Sequence, residues 1–391
     1  MSIRAEERLP AGGMAAQARA PQTVTRQRRR DLLLVLLFAS FILLPGLLHV
    51  AGVEQSTPEN EMRTLVDRPR FPDSTQSWRE FGGKLEAYLS DRFGLRPVLT
   101  AAASRLRFAI RVPVGQLVII GKDGWLYWNG QDEMEQVAGV RLLSQVRIGR
   151  WIGSLVRMRD WAEARRIRFI FVIAPNKSEI YPEYLPDGLV PAKRTAADQL
   201  RDALARDGRI DFVDLRGVMH AAKATGQIYY KTDTHWNPTG AYYALQAVMK
   251  GRWPAGIELP PLSDYTVDRT PIPGDIAYYL MQECCLKEPS DLLVRKFHDP
   301  TLGQADMRPV FSEGGYSIDS EHRTYPRLFL LADSFAFKWF PLLPDVTSRT
   351  VFQWNGRTLR LSDVEKEKPD ILIYEAVQRV LPYEPTSMLT D

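Results

Sequence analysis

The chain contains five histidines, and one of them, His235, lies in a setting that suits acid–base chemistry. It occurs in the segment 232–238, TDTHWNP, which is typical of a loop immediately before a helix. An aspartate two positions earlier, Asp233, can fold back onto the imidazole Nδ1–H, fix the tautomer and leave Nε2 free as a base. Local capping of the helix by the same polar side chains is the alternative, and the Asp-x-His spacing alone favours it.

A second pattern changes that balance. The apolar run at 328–331 is typical of a buried strand and leads directly into Ala332, Asp333 and Ser334. A serine at the carboxyl end of an inner parallel strand lies where open α/β sheets bind ligands. A helix after it would offer N–H groups to an oxyanion, although a serine N-cap is also common at such turns. Together the two patterns predict a Ser334–His235–Asp233 triad.

Other chemistries find less support in the residues. Zinc would need at least one ligand beyond Asp233 and His235, and no partner histidine stands at helical or hairpin spacing, so we predict no metal site. Cys284 and Cys285 are adjacent and lack zinc-site spacing. We expect them to be small buried or loop residues, with a strained vicinal disulfide as the alternative. The net charge of +4 comes with no basic stripe interleaved with aromatics, which argues against a nucleic-acid partner.

Strand-like and helix-like segments alternate around these motifs. Apolar runs at 169–173, 210–215, 328–331, 350–353 and 371–374 alternate with helical patterns, among them 195–205 and 238–250. This alternation predicts an α/β domain with a parallel sheet at 113–391. Asp123-Gly124 predicts a hairpin over 118–127. The segment near 253–320 is rich in Pro, Asp and Gly with weak periodicity, so we expect an irregular insertion that shapes a substrate surface or is a plain excursion.

The N-terminal part predicts a membrane anchor. Residues 32–53 carry no charge, and at about 1.5 Å per residue they span roughly 33 Å, enough for a bilayer core. We expect a disordered cytoplasmic tail at 1–30, a transmembrane signal anchor at 31–53, and a periplasmic tether with helices at 54–112. The cluster Arg26, Arg28, Arg29 and Arg30 should stay in the cytoplasm. A cleaved signal peptide is the alternative.

Several segments of the exported part resemble the alginate O-acetyltransferase family of AlgJ and AlgX, whose catalytic domain is SGNH-hydrolase-like. They are 59–61 (ENE), 91–94 (DRFG), 121–126 (GKDGWL), Lys177 with Tyr181-Pro182, 233–237 (DTHWN) and 332–335 (ADSF). In that family the Asp-x-His motif precedes the serine motif, the reverse of ordinary SGNH hydrolases. Ala332 is a departure, because SGNH enzymes usually carry glycine before Asp-Ser.

The resemblance implies roles for the site residues. Ser334 would be the nucleophile, His235 the base and Asp233 its orienting partner. Gly356 and Gln378 lie on loops that correspond to the oxyanion loops of SGNH enzymes, and the alternative is that they are plain turn and helix residues. Lys177 is a further candidate for substrate or oxyanion contact. Trp236 is placed for an apolar wall or a sugar-stacking face, with simple packing as the alternative.

The resemblance also implies a function. We expect ping-pong transfer of acetyl onto an exported polysaccharide, without a metal or organic cofactor. A multispanning membrane acyltransferase would supply the acetyl group, and the enzyme would be a single-pass protein of the bacterial inner membrane with its catalytic domain in the periplasm. Two alternatives stay open: a polysaccharide acetyl esterase with the same triad, and a non-catalytic polysaccharide-binding or export scaffold protein.

Overall fold

The computed structural model describes residues 22–51, 65–72, 75–93, 95–110, 117–279, 286–295, 308–311, 315–356 and 358–389. The chain divides into two compact units, residues 1–100 and 101–391. Predictions for residues 1–21, for the 59–61 motif and for Cys284 and Cys285 fall outside the described residues.

In the described part of the chain, three α-helices come before the first strand: α1 (Gln22–Val50), α2 (Thr75–Asp91) and α3 (Arg96–Ala109). Within α1, Gln27–Leu48 has a mean hydropathy of 2.4 and is long and apolar enough to cross a membrane. The expectation of disorder up to residue 30 is wrong for residues 22–30, which belong to α1. Arginine is a good helix former, so the basic flank continues the apolar helix.

Strands and helices alternate through the second unit. The strands are β1 (Val118–Ile120), β2 (Leu126–Trp128), β3 (Arg168–Ala174), β4 (Phe212–Asp214), β5 (Tyr265–Pro273), β6 (Lys287–Arg295), β7 (Arg308–Phe311), β8 (Gly315–Asp319), β9 (Arg327–Ala332), β10 (Arg349–Trp354), β11 (Leu359–Arg360), β12 (Ile371–Val377) and β13 (Met388–Leu389). The α-helices are α4 (Glu133–Val137), α5 (Gln145–Glu163), α6 (Lys177–Ile180), α7 (Ala196–Asp207), α8 (Arg216–Ala222), α9 (Pro238–Met249), α10 (Asp275–Tyr279) and α11 (Leu361–Glu367). Short 3-10 segments cover Gly130–Asp132, Pro182–Tyr184, Lys223–Thr225, Leu262–Asp264, Ser334–Trp339, Leu343–Asp345 and Gln378–Val380.

A seven-stranded sheet in the order β4-β3-β12-β9-β10-β8-β7 forms the centre of this unit. The first five strands in this order, β4, β3, β12, β9 and β10, are parallel to one another. Strand β8 pairs antiparallel with β10, and β7 pairs antiparallel with β8. The predicted α/β class with a parallel sheet is confirmed, and two antiparallel strands extend it at one edge. Strand β9 lies in the interior, so its carboxyl end opens between β12 and β10.

Both faces of the sheet are covered, which explains the uninterrupted apolar runs of β3, β9 and β12. On one face, Phe171 and Phe329 pack with side chains of α5 and α7. On the other, Ile170 and Leu330 pack with side chains of α8 and α9. All seven residues of β12 are buried. The burial anchors the strands rigidly, and the loops at their carboxyl ends are therefore held in fixed positions.

The hairpin predicted at Asp123-Gly124 is present. Strands β1 and β2 pair from Val118↔Trp128 to Ile120↔Leu126. Asp123 and Gly124 both have positive φ, 51° and 81°, as a two-residue type I′ turn requires.

The expectation of an irregular segment near 253–320 is wrong in part. Strands β5 and β6, of nine residues each, pair as an antiparallel hairpin, and β8 belongs to the main sheet. Pro271 pairs with Pro289 within that hairpin. Prolines weaken the strand signal of a sequence but are tolerated in strands with an open edge, and β5 and β6 form a sheet of only two strands.

Candidate active site

Ser334 lies at the carboxyl end of β9, in a tight turn over residues 332–335 that we call the Ser334 turn. Asp333 holds this turn in place. Its Oδ1 accepts the N–H of Phe335 at 3.0 Å, and its Oδ2 accepts the N–H of Val377, at the end of β12, at 2.7 Å. Asp333 is therefore the N-cap of the 3-10 segment, and Ser334 does not serve as the cap. The helix considered above is a short 3-10 segment, Ser334–Trp339, which begins at Ser334 itself.

His235 lies on a loop over residues 229–237, the His235 loop, that leads into α9. A β-bridge between Tyr229 and Trp236 closes the loop at its base. Asn237 caps α9 by accepting the N–H of Gly240 at 3.0 Å, and Pro238 occupies the first turn. The cap is thus Asn237, which leaves the carboxylate of Asp233 available to the imidazole.

The three predicted side chains are in contact. His235 Nε2 lies 2.7 Å from Ser334 Oγ, and His235 Nδ1 lies 2.6 Å from Asp233 Oδ1. The same Asp233 oxygen accepts the backbone N–H of His235 at 2.9 Å. A carboxylate at Nδ1 favours the tautomer with the proton on that nitrogen, so Nε2 can accept the proton of the serine.

The charge of Asp233 is maintained despite its burial. Burial alone would raise the pKa of Asp233, but the charge of His235 and hydrogen bonds from its ring and backbone outweigh burial and hold that pKa well below its usual range. The group therefore stays an anion beside the imidazole. An anion in that place stabilises an imidazolium when one forms.

Lys177, which the resemblance makes a candidate for substrate or oxyanion contact, directs its ammonium to backbone carbonyls of the His235 loop. It is 3% exposed, and its ammonium donates to the carbonyls of Tyr230, Lys231 and Asp233 at 3.1, 3.0 and 2.7 Å. Burial lowers the pKa of Lys177 to about 8, although nearby carboxylates oppose the shift. Its contacts make it a support of the His235 loop.

Two further carboxylates contact the same loop, and sequence reasoning missed both. Glu288 Oε1 accepts the N–H and the hydroxyl of Thr232 at 2.5 and 2.7 Å. Asp275 accepts the N–H and the hydroxyl of Thr234 at 2.7 and 2.6 Å. Both lie in the segment expected to be irregular, forty or more positions from His235, and no local pattern points to them.

Glu375, on β12, is another buried carboxyl group of the site. Its Oε2 accepts the N–H of Asp333 at 3.0 Å, and its side chain is fully buried. Burial, followed by the negative charge of Asp333, raises the pKa of Glu375 well above its usual value. The protonated form of Glu375 is therefore favoured behind the Ser334 turn.

The other residues that the resemblance suggests for the site are Trp236, Gln378 and Gly356, and they lie in different settings. Trp236 is fully buried and donates its Nε1–H to the carbonyl of Phe335 at 3.1 Å, so it packs in the core and cannot stack on a sugar. The side-chain amide of Gln378 donates to Glu179 at 2.8 Å and accepts the N–H of Asn176 at 3.3 Å, so it is part of a buried network. Gly356 is exposed in the turn after β10.

Asp233, His235 and Asp275 are also close enough to suggest a metal-binding group, since one donor atom from each lies within 4.8 Å of the others. Their donor atoms already have protein partners. Asp233 Oδ1 faces the imidazole, and both oxygens of Asp275 accept from Thr234. These contacts suit a hydrogen-bonded acid–base pair, and we assign no metal to the group.

Comparison with known proteins supports the resemblance seen in the motifs. Residues 118–300 match the family described as "SGNH hydrolase-like domain, acetyltransferase AlgX". That range includes Asp233 and His235 and ends before Ser334. The resemblance to AlgJ and AlgX and the SGNH-hydrolase-like fold class are thereby confirmed.

Among curated proteins, the probable alginate O-acetylase AlgJ of Pseudomonas syringae pv. tomato is 27% identical over 227 residues, which cover 56% of each protein. The probable alginate O-acetylase AlgJ of Pseudomonas putida is 33% identical over 132 residues, 34% of this chain and 32% of that protein. The chain thus spans about half of the first relative and a third of the second.

Two solved structures align with most of their own length. The O-acetyltransferase domain of Pseudomonas putida AlgJ has a TM-score of 0.42 at 21% identity and covers 68% of this chain and 93% of that one. Bacillus cereus PatB1 with a sulfonyl adduct has a TM-score of 0.46 at 14% identity and covers 68% of this chain and 97% of that one.

Proposed function

Since this chain is a relative of the AlgJ and AlgX proteins, we propose that it is a serine O-acetyltransferase that moves acetyl groups onto an exported polysaccharide. One observation carries the proposal: Ser334 Oγ, His235 and Asp233 form a continuous chain of contacts at 2.7 and 2.6 Å. This is the arrangement in which a base activates a serine hydroxyl and a carboxylate orients the base.

In the first half-reaction, Ser334 Oγ attacks the carbonyl carbon of an acetyl donor while His235 Nε2 takes the hydroxyl proton. Asp233 stabilises the resulting imidazolium. The tetrahedral intermediate then expels the donor's leaving group, which receives the proton from His235. Ser334 is the first residue of its 3-10 segment, and the first N–H groups of a helix have no intrahelical acceptor. Its backbone N–H is our candidate donor to the oxyanion.

In the second half-reaction, a sugar hydroxyl replaces the leaving group. His235 removes the hydroxyl proton, the sugar oxygen attacks the acetyl carbonyl, and the bond from Ser334 Oγ to that carbon breaks. Ser334 Oγ then recovers the proton from His235. Water in place of the sugar would release acetate, so the acceptor site decides between transfer and hydrolysis.

The N-terminal helix supports a proposed location. The segment Gln27–Leu48 of α1 has the length and hydropathy of a membrane span, and Arg28, Arg29 and Arg30 lie at its N-terminal end. By the positive-inside rule the arginines stay in the cytoplasm and residues after the span lie in the periplasm. We propose an inner-membrane anchor at 31–53, a tether with helices at 54–112 and a catalytic domain at 113–391. A multispanning membrane acyltransferase is the proposed acetyl donor.

The esterase and the scaffold protein are tested by the same experiment. The full-length protein in detergent is incubated with an activated acetyl ester and oligosaccharides of different composition, and the products are identified by mass. The transferase predicts acetylated oligosaccharide that depends on Ser334. Release of acetate from a pre-acetylated polymer, without transfer, would indicate the esterase.

A matched pair of variants serves as control. Ser334→Ala removes the nucleophile and should abolish transfer. Ser263→Ala alters a serine whose only described side-chain contact is the neighbouring Asp264, and it should transfer normally. Equal transfer by wild type and Ser334→Ala would contradict the proposal.

A further inference from the structure

Asp275 brings a second carboxylate to the imidazole of His235. Its two oxygens accept the N–H and the hydroxyl of Thr234, and its own backbone N–H donates to Asp233 Oδ2 at 3.1 Å. Asp275 thus contacts the two residues that precede His235 in the chain, Asp233 and Thr234. Each contact fixes a group that in turn fixes the imidazole.

The segment around Asp275 fits closely against the His235 loop. A side chain on Gly274 would bring its Cβ to 2.3 Å from the carbonyl oxygen of Thr232, so only glycine permits this approach. Two residues after Asp275, the N–H of Ala277 donates to the same Thr232 carbonyl at 3.0 Å. The position of Asp275 is therefore set by backbone contacts on both sides of it.

The charge of Asp275 is placed to act on the imidazole directly. Its Oδ2 lies 3.7 Å from His235 Nδ1. Burial and the negative charge of Asp233 raise the pKa of Asp275, while the charge of His235 acts in the opposite direction. The two carboxylates are therefore most compatible with each other when His235 is protonated.

We propose that Asp275 is a positioning residue of the acyl transfer, which holds the Asp233–His235 pair in register through Thr234 and places a second negative charge beside the imidazolium. This inference rests on the proposed serine chemistry and adds to it a group outside the triad. The proposal also gives a role to the β5–β6 hairpin, because α10 begins at Asp275, two residues after the end of β5.

The other charged groups around His235 are the same in wild type and in the Asp275 variant. They are Asp233 on its own loop, Lys177 next to β3, Lys338 on the 3-10 segment, whose charge acts on Asp233, and Arg379 after β12, which lies over the ring of Phe335 that packs on the imidazole. Ser334 contacts the opposite nitrogen. Removal of Asp275 thus changes one charge among several fixed ones.

The test measures acylation of Ser334 by an activated acetyl ester as a function of pH in the full-length protein. Wild type should lose activity on the acid side, because only a neutral imidazole can accept the serine proton. Asp275→Asn keeps the size of the side chain and an acceptor oxygen but removes the charge, which makes the imidazolium less stable. We expect its acid limb to move down by about one pH unit, and its plateau rate to fall about 10- to 100-fold.

Two further variants separate the roles. Thr234→Val removes the hydroxyl bond to Asp275 but keeps the charge, so its plateau should fall while its acid limb stays near that of wild type. Glu258→Gln neutralises an exposed carboxylate elsewhere and should match wild type throughout. An acid limb that stays in place in Asp275→Asn overturns the inference, whatever happens to the plateau. Absence of acylation at Ser334 in wild type would instead contradict the proposed function itself.

Discussion

The indole Nε1–H of Trp236 donates to the backbone carbonyl of Phe335 at 3.1 Å, which joins the residue after His235 to the residue after Ser334. The two rings also meet edge to face, with centroids 4.9 Å apart. This contact links the two motifs of the triad inside the core. The distance between His235 and Ser334 therefore depends on a buried side chain that touches neither reacting atom.

Trp236→Phe should weaken this link. Phenylalanine keeps an aromatic ring but removes the donor, so the buried carbonyl of Phe335 loses a partner. We expect the free energy of unfolding to fall by about 1–3 kcal/mol, and acylation of Ser334 to slow. Chemical denaturation followed by circular dichroism measures the first effect. Trp78→Phe, which alters an exposed indole on α2, is the control, and equal losses in both variants would argue against the contact.

Glu375→Gln should make stability less dependent on pH. Because the pKa of Glu375 is raised, its contribution to the free energy of unfolding is fully present below the usual value of 4.5 and is lost as pH rises through the folded value. Glutamine cannot ionise and can still accept the N–H of Asp333. Between about pH 5 and pH 8 we expect the variant to lose about 1 kcal/mol less than wild type.

The measurement is denaturation at several pH values, with Glu258→Gln as the exposed control. A variant whose stability falls with pH as steeply as that of wild type would show that Glu375 is ionised in the folded protein.

Lys177→Met should loosen the His235 loop. The variant leaves three carbonyls, one buried and two partly buried, without their shared donor, and we expect a loss of about 3 kcal/mol or more in the free energy of unfolding. Acylation of Ser334 should fall with it. Lys250→Met, which removes an exposed ammonium at the end of α9, is the control and should change neither quantity.

The same lysine predicts a pH effect with a definite sign. Its pKa is lowered from 10.5 to about 8, so the folded protein holds this proton less tightly than the unfolded chain does. The resulting penalty is fully present below pH 8 and is relieved as pH rises from about 8 to about 10.5. The stability of wild type relative to Lys177→Met should therefore increase over that range. A difference that stays constant would contradict the low pKa of Lys177.

The sequence predicts the triad because each member belongs to a local pattern. Ser334 follows a buried strand, and Asp233 stands two positions before His235 in a loop. The parallel strands were predictable for the same reason, since burial on both faces produces continuous apolar runs. The turn was predictable from the Asp123-Gly124 dipeptide, because these two residue types tolerate the positive φ that both adopt.

The residues that hold the triad in place have no comparable local pattern in the sequence. Lys177 binds backbone carbonyls, which every residue possesses, so nothing in its neighbours marks its target. Glu288 lies in the β5–β6 hairpin and Asp275 follows β5, and the prolines of this hairpin weaken the strand pattern in the sequence. Trp236 was open to two interpretations because a tryptophan beside a catalytic-type histidine suits packing and sugar stacking equally, and only burial separates them.

The most direct test of the account is the covalent state of Ser334 after exposure to an activated acetyl ester. Peptide mass mapping of the full-length protein, quenched early, should find an acetyl group on Ser334. His235→Ala should form that adduct far more slowly, by at least about 100-fold, and Ser334→Ala should not carry it. Acetylation of other residues only, or equal labelling of Ser334 in wild type and His235→Ala, would contradict the proposed acyl-enzyme.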